Sequence, residues 1–389
     1  INNKRKKLAD LYYKYFKDEV DNLNARSDKD KEEELSTKIK WVAFKHQFFS
    51  SVLIHNDAFS NGHVKYNVLP DTSRYLKKFI ANTTLPLEDK NKSLLSFNFY
   101  FGPNHYNTLK QYGYDLLELV QLGAWILKWI NRFAIIPIFN FLGNYISNYG
   151  IIILLLTIII KIVLFPLTYR SYASMAKMKV LKPQIDEINK KIPKEKAMER
   201  QQAQMKLYRK AGVSPMGGCL PLLLQMPILI AMYRFFPSSI ELRQESFLWA
   251  NDLSTYDSIL NLPFSIPFYG DHVSLFTILM TITTSITIRF SNQASASSSQ
   301  MPGMKSMMYV MPVMLLFVLN NFSSALTYYL FLSNLITVGQ NAVSKRFINE
   351  EEILKKINEN KKKPQKKSNF QSKIEKMAKE RGYKPPKKK

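Results

Sequence analysis

The chain of 389 residues carries 55 Lys and Arg against 30 Asp and Glu, a formal charge of +25, yet 46% of it is hydrophobic. Its apolar residues gather in long runs near 151–168, 219–236, 273–288, 307–319 and 325–338, which predicts a polytopic membrane protein rather than a soluble basic one. One cysteine, Cys219, excludes an intramolecular disulfide framework and a Cys-cluster metal site, and five histidines are a poor inventory for metal chemistry.

The first residue is Ile1 rather than Met, and no charged-then-apolar signal segment opens the chain, so a fragment with an export anchor upstream is expected. Residues 1–40, dominated by Lys, Asp, Glu and Asn, look like a solvated helix or loop. Short β-rich pieces follow at 41–44, 51–55 and 96–102, broken by Asn-Asp, Asn-Gly and Gly-Pro pairs. Residues 1–118 are therefore expected to be the C-terminal part of a β-sandwich domain.

Residues 119–149 are apolar but interrupted by Lys128, Asn131, Arg132, Pro137, Asn140 and Asn144. A charge at the centre of a membrane helix costs roughly 2.5–3.5 kcal/mol. The expectation is an amphipathic helix in the headgroup layer, anchored by Trp125 and Trp129, with Lys128, Asn131 and Arg132 reaching toward water. A buried helix of the soluble domain is the alternative.

A five-span membrane core is expected over 150–342, with spans at about 150–168, 214–236, 273–290, 305–322 and 325–342. The first has fourteen Ile, Leu, Val or Phe, enough to insert despite Lys161. Residues 169–213 carry twelve Lys/Arg against four acids, whereas the loop 237–272 carries one against five. By the positive-inside rule the former is cytoplasmic, with the basic tail 343–389, and the N-terminal domain lies outside. Within 169–213, Met178, Leu181, Ile185, Ile188 and Ile192 step by three and four, Pro193 breaks the run, and Met198, Met205 and Tyr208 continue a seam to Gly212. This predicts a cytoplasmic helical hairpin with a kink at Pro183.

Lys161 lies mid-span, about 10 Å by helix rise from the nearer end. An intramembrane cation is a functional-site hypothesis by default, and no Asp or Glu occurs in the five runs, so a hydrated cation is expected in preference to snorkelling. Thr157, Lys161 and Thr168 share one helical face; Thr277, Thr281 and Thr284 repeat the pattern, as do Thr327, Asn334, Thr337 and Asn341. A lone Thr usually bonds back to its own helix, but the stripes together predict a hydrophilic groove in the bundle. Met304, Met307, Met308, Met311 and Met314 line a face of the fourth span, with Met226 and Met232 on the second; such polarizable side chains adapt to many apolar partners, or simply pack.

The second span opens with an unusual density of helix breakers. PMGGCLPLLLQMPILIAMYR at 215–234 resembles the signature of YidC-type membrane protein insertases, the YidC/Oxa/Alb family. WVAF at 41–44, FYFGP at 99–103, FPLTYRSYASMAKMKVLKPQ at 165–184, ELRQESFLW at 241–249 and YYLFLSNLITVGQ at 328–340 support it, over roughly residues 41 to 345. The resemblance implies a bacterial inner-membrane, multi-pass insertase and chaperone with a periplasmic β-sandwich and no cofactor or metal. Lys161 matches the groove cation, Thr157 the threonine before it, and Met226 and Tyr329 substrate-facing positions, with Asn334 added by the polar stripe. The groove cation of the family is arginine, so the mechanism here needs a groove wet enough to keep lysine protonated.

The partners implied are nascent membrane proteins, a Sec-type translocon, anionic lipids, and the ribosome and signal recognition machinery through 169–213 and 343–389; no DNA is expected. The tail, ending in Lys-Pro-Pro-Lys-Lys-Lys, looks too charged to fold alone and suits either anionic lipid or ribosomal RNA. Three rivals remain. A small-molecule transporter would need an inverted repeat that the spans do not display. An intramembrane hydrolase lacks a base. A translocon scaffold or assembly factor stays open.

Overall fold

The computed structural model describes residues 8–24, 29–70, 72–85, 95–123, 125–213, 220–294 and 304–362. The chain divides into two compact units, one of residues 1–159, 224–281 and 314–333, the other of 160–223, 282–313 and 334–389.

The first unit begins with strands β1 (Asp10–Tyr15), β2 (Val20–Asn22), β3 (Lys31–Leu35), β4 (Ile39–Lys45), β5 (Phe49–Phe59), β6 (Asn61–Val68), β7 (Lys77–Thr84) and β8 (Phe97–Pro103). They form antiparallel sheets in the orders β2-β1-β4-β5-β8 and β3-β6-β7. Side-chain alternation explains the layering. Leu11, Tyr13, Val42 and Phe59 of the larger sheet meet Leu35, Val64 and Tyr66 of the smaller in one core. Tyr12, Trp41, Ala43, Val52, Ile54 and Tyr100 leave the opposite face and pack with Leu109 of helix α1 (Tyr106–Tyr112) and with Leu116 and Leu119. The Trp41 indole N–H donates to the Tyr114 carbonyl at 2.8 Å, which satisfies a buried donor.

The expectation of a solvated helix or loop over residues 1–40 is corrected. That stretch supplies β1, β2, β3 and the start of β4. β1 lies between β2 and β4 and is buried on both faces through Leu11, Tyr12 and Tyr13. In β3, sequence KEEEL, only Leu35 is fully buried, so charges dominate the composition of a genuine strand.

Helices α2 (Ile126–Ile130) and α3 (Ile136–Gly143) flank a π-helical turn, Asn131–Ile135. Trp125, Trp129, Phe133 and Phe141 are exposed. Lys128 pairs with Glu118, and Arg132 lies over the Phe133 ring. Asn131 does not reach toward water: it is fully buried, and its Nδ2 donates to the carbonyls of Leu122 (2.8 Å) and Ala231 (3.3 Å). The π turn sets Asn131 inward with Ile135, Ile136 and Phe139.

The remaining helices are α4 (Tyr149–Val180), α5 (Lys182–Lys191), α6 (Ala197–Ala211), α7 (Leu220–Ser238), α8 (Leu275–Ala294), α9 (Met304–Leu319), α10 (Ser324–Phe347) and α11 (Glu350–Lys362). The hairpin β9 (Leu260–Ile266) and β10 (Gly270–Val273) interrupts the connection from α7 to α8. The apolar runs fall on α4, α7, α8, α9 and α10, and the helix-breaking start of the second run, 214–219, lies outside the described residues. By length and composition, Ile126–Gly143 and Tyr149–Val180 are long and apolar enough to cross a membrane; Leu275–Phe290 and Tyr309–Leu319 are shorter apolar helices. Gly150 admits the Phe247 ring where a Cβ would stand, with ring carbons 2.1–2.5 Å from that point. Asp257 caps the start of α8, accepting from the Phe276 N–H (3.1 Å), Ser274 and the Trp249 indole.

In the second unit, Pro183 sits in the first turn of α5, where a missing N–H costs nothing, so the expected kink is a break at Leu181 between α4 and α5. Pro193 follows the end of α5, and Gly212, at φ 67°, ends α6 in the left-handed conformation. Tyr172, Met175, Met178, Leu181, Ile185, Tyr208, Ala211 and Val213 form the seam. Met198 and Met205, expected in it, are exposed; Gln204 is buried instead and bonds Asn189 at 2.8 Å. Tail residues 350–362 also depart from expectation. They form α11, whose Ile357 is buried in the same seam. Residues 363–389 lie outside the described residues.

Candidate functional site

In the second unit, Lys161 on α4 faces inward, with 6% of its surface exposed, while the next residues, Ile162 and Val163, are 64% and 69% exposed. Its Nζ donates to Thr337 Oγ1 on α10 at 2.9 Å. A second link joins the same two helices: Gln340, one turn beyond Thr337, donates to the Lys161 carbonyl at 3.2 Å. Asn334, one turn before Thr337, donates through Nδ2 to Thr284 Oγ1 on α8 at 2.7 Å. Three helices thus converge through neutral hydroxyl and amide groups around a cation.

Lys161 thus points away from the side of α4 that Ile162 and Val163 expose. The protein packs around Lys161, with the Thr337 hydroxyl against the ammonium.

Not every polar stripe residue belongs to this cluster. Thr157, in the first unit, is fully buried, and its hydroxyl donates to the Ile153 carbonyl of its own helix at 2.6 Å. Thr168, Thr281 and Thr287 bond back in the same way. Thr337, Asn334 and Thr284 make bonds that cross between helices, as Thr277 does to the Leu319 carbonyl at 3.4 Å in the first unit.

Met226 is 42% exposed on α7. Tyr329, expected to face a substrate, is 1% exposed, its ring centroid 6.1 Å from that of Phe236. In place of an exposed face, α10 turns Tyr329 onto α7 within the first unit. Gln225 of α7 donates to Ser333 Oγ of α10 at 2.9 Å. Met311 and Met314 are exposed, and the side chains of Met304, Met307 and Met308 lie outside the described residues. Among the described residues no three His, Cys, Asp or Glu side chains form a group that could hold a metal.

Gln340 escaped the sequence reading. Its signal was available, since it lies three residues after Thr337 on the polar face. Gln225, inside the span signature, was likewise read for its neighbours and not for its amide.

A β-sandwich is followed in this chain by apolar helices, two of which are long and apolar enough to cross a membrane. The chain belongs to the family described as 60Kd inner membrane protein, which matches residues 141–352, and the description YidC periplasmic domain matches residues 5–136. Proteins named membrane protein insertase YidC are 47% identical over 390 residues in Parabacteroides distasonis, covering 96% of this chain, and 48% identical over 385 residues in Bacteroides fragilis, again covering 96%. The chain spans 61% and 62% of the length of those two curated relatives. A solved structure titled an active YidC insertase with the first transmembrane domain resolved matches at 22% identity and a TM-score of 0.43, covering 86% of this chain and 75% of that one.

Proposed function

We propose that the chain acts as a membrane protein insertase and chaperone, receiving the hydrophobic segments of nascent membrane proteins and releasing them laterally into the bilayer. The observation that carries this reading is the neutral partner of Lys161. A hydroxyl acceptor is exchangeable for a carboxylate, because a carboxylate adds charge–charge attraction to a bond the ammonium already assists. An acidic or polar tail entering from the cytoplasm displaces the Thr337 hydroxyl, and the inward cation shortens the barrier to crossing hydrocarbon. Release of the client's apolar segment into lipid drives the step at roughly 25 cal/mol per Å² buried, so no cofactor or nucleotide enters.

In this reading α4, α7, α8, α9 and α10 cross the bacterial inner membrane, α2 and α3 lie in the headgroup layer, the sandwich is periplasmic, and the hairpin and tail are cytoplasmic. The charge asymmetry of 169–213 over 237–272 supports that orientation. Exposed Met226, Met311 and Met314 suit contact with apolar clients. Thr157 is assigned to backbone satisfaction of α4, and Lys161 with Asn334 to the polar cluster. The cationic hairpin and tail suit docking to ribosomal RNA or anionic lipid, and a Sec-type translocon is a further partner of this reading.

The test is photo-crosslinking. A probe in the acidic tail of a short single-span client, inserted into vesicles holding the protein, should crosslink to α4 or α10 near Lys161 and Thr337. Crosslinks confined to the sandwich would exclude the reading.

A further inference from the structure

A cavity of about 370 Å³ opens in the first unit at the turn between β4 and β5. Arg74, Lys77 and Arg243 line it, and none of the described residues in its wall is Asp or Glu. The Arg243 guanidinium is held 5.4 Å from the ring centroids of both Phe48 and Phe49. Tyr75, at the rim, is exposed. The cavity thus pairs cations with aromatic surface, a lining suited to an anion that carries an apolar part.

Two links place the cavity beside the end of α7. Gln47, in its wall, donates to the Pro237 carbonyl in the last turn of α7 at 2.7 Å. Arg243, also in its wall, follows shortly after Ser238, the last residue of that helix. Where an apolar helix crosses a bilayer its end emerges in the headgroup layer.

We propose that this cavity binds the headgroup phosphate of an anionic phospholipid, an inference that rests on α7 crossing the membrane. Arg74, Lys77 and Arg243 hold the phosphate, Arg243 offering the forked donor geometry that suits phosphate oxygens. Phe48, Phe49 and Tyr75 receive the glycerol and the first methylenes. A bound lipid ties the sandwich to the membrane surface. The aromatic wall favours a lipid over free phosphate, and the neighbouring helix end favours it over an acidic peptide.

The test uses the whole chain in detergent, titrated calorimetrically with dihexanoyl phosphatidylglycerol, dihexanoyl phosphatidylcholine, inorganic phosphate or a Glu-rich peptide. The anionic lipid should bind about fivefold tighter than the zwitterionic one, as charge-assisted contacts require. Arg74→Gln with Arg243→Gln should abolish that preference. Equal binding of the two lipids, or a preference that survives the substitutions, overturns the proposal. Inorganic phosphate binding as tightly as the lipid makes it a free-anion site, and peptide binding more tightly makes it a peptide site; either overturns the lipid assignment. If the double variant fails to fold, Arg74→Gln alone, on an exposed side chain, must weaken the anionic lipid about twofold or more; no change overturns the proposal.

Short-chain lipids are water-soluble, so this arm does not depend on membrane crossing. Crossing is tested separately, with Cys219 replaced by Ser, by labelling Leu223→Cys and Ser246→Cys, both at exposed positions, from the two sides of sealed vesicles. Labelling of both from one side removes the crossing of α7 and the headgroup argument with it, while a lipid preference in detergent would still stand as a property of the cavity.

Discussion

Lys161 on α4 and Thr337 on α10 are joined by a hydrogen bond of 2.9 Å from ammonium to hydroxyl, between residues far apart in the chain. Hydrogen bonds to a charged group contribute about 1.5–3 kcal/mol, and leaving the cation without this acceptor costs in the same range. Thr337→Val, which keeps the shape and removes the oxygen, should therefore destabilise the protein by about 1–3 kcal/mol in detergent unfolding titrations, while Thr337→Ser stays near wild type. Equal behaviour of the two variants would show that the hydroxyl is incidental.

Asn131 offers a contrast within one turn of helix. It is buried with two backbone acceptors, whereas Arg132 beside it is exposed. Asn131→Ala should lower stability by about 1–3 kcal/mol, since two buried carbonyls lose a donor, and Arg132→Ala should change it by under about 0.5 kcal/mol. Thermal unfolding of the two variants side by side checks the assignment of faces.

The tail helix docks through Ile357, with Ile353 packed beside it. Ile357 of α11 is buried in the hairpin seam with Tyr208 and Ala211. Ile357→Asp should free α11 and make residues 348–362 sensitive to limited proteolysis, leaving the sandwich resistant, because a carboxylate there is buried without a partner. Unchanged cleavage kinetics would mean that α11 does not depend on this contact.

Asp30 provides a pH signature in the sandwich. The Val68 N–H and the Asn67 amide hold its carboxyl below the ordinary value of 3.8. A depressed acid contributes stability above its unfolded pKa and loses it as pH falls through the folded one. The contribution should fade as pH falls through and below the ordinary value of 3.8. Asp30→Asn should flatten the melting-temperature profile over that window and leave the slope near neutral pH unchanged.

How much was legible in advance follows from how each signal arises. Apolar runs long enough to be helices announce themselves, and α4, α7, α8, α9 and α10 occupy them. The strands of residues 1–40 were hidden because β3 carries four charged residues and gains its place by pairing with β6, a partner nearly thirty residues on. In the hairpin, helical spacing alone could not choose between Met205 and Gln204, adjacent residues on neighbouring faces. The polar stripes located Lys161, Asn334, Thr337 and Thr284, but periodicity could not tell a threonine bonded to its own helix, such as Thr157, from one bonded across helices, such as Thr337. That distinction is a matter of three-dimensional neighbours.

The charge at position 161 is the centre of the account, and reversing it is the most direct measurement. Vesicles reconstituted with wild type, Lys161→Arg, Lys161→Ala or Lys161→Glu, given a short-tailed acidic client and probed by protease protection, should rank in that order. Arginine should be tolerated, alanine impaired, and glutamate lose about tenfold or more of insertion by repelling the client's tail. Full insertion by folded Lys161→Glu would contradict the proposal that an inward cation receives the client.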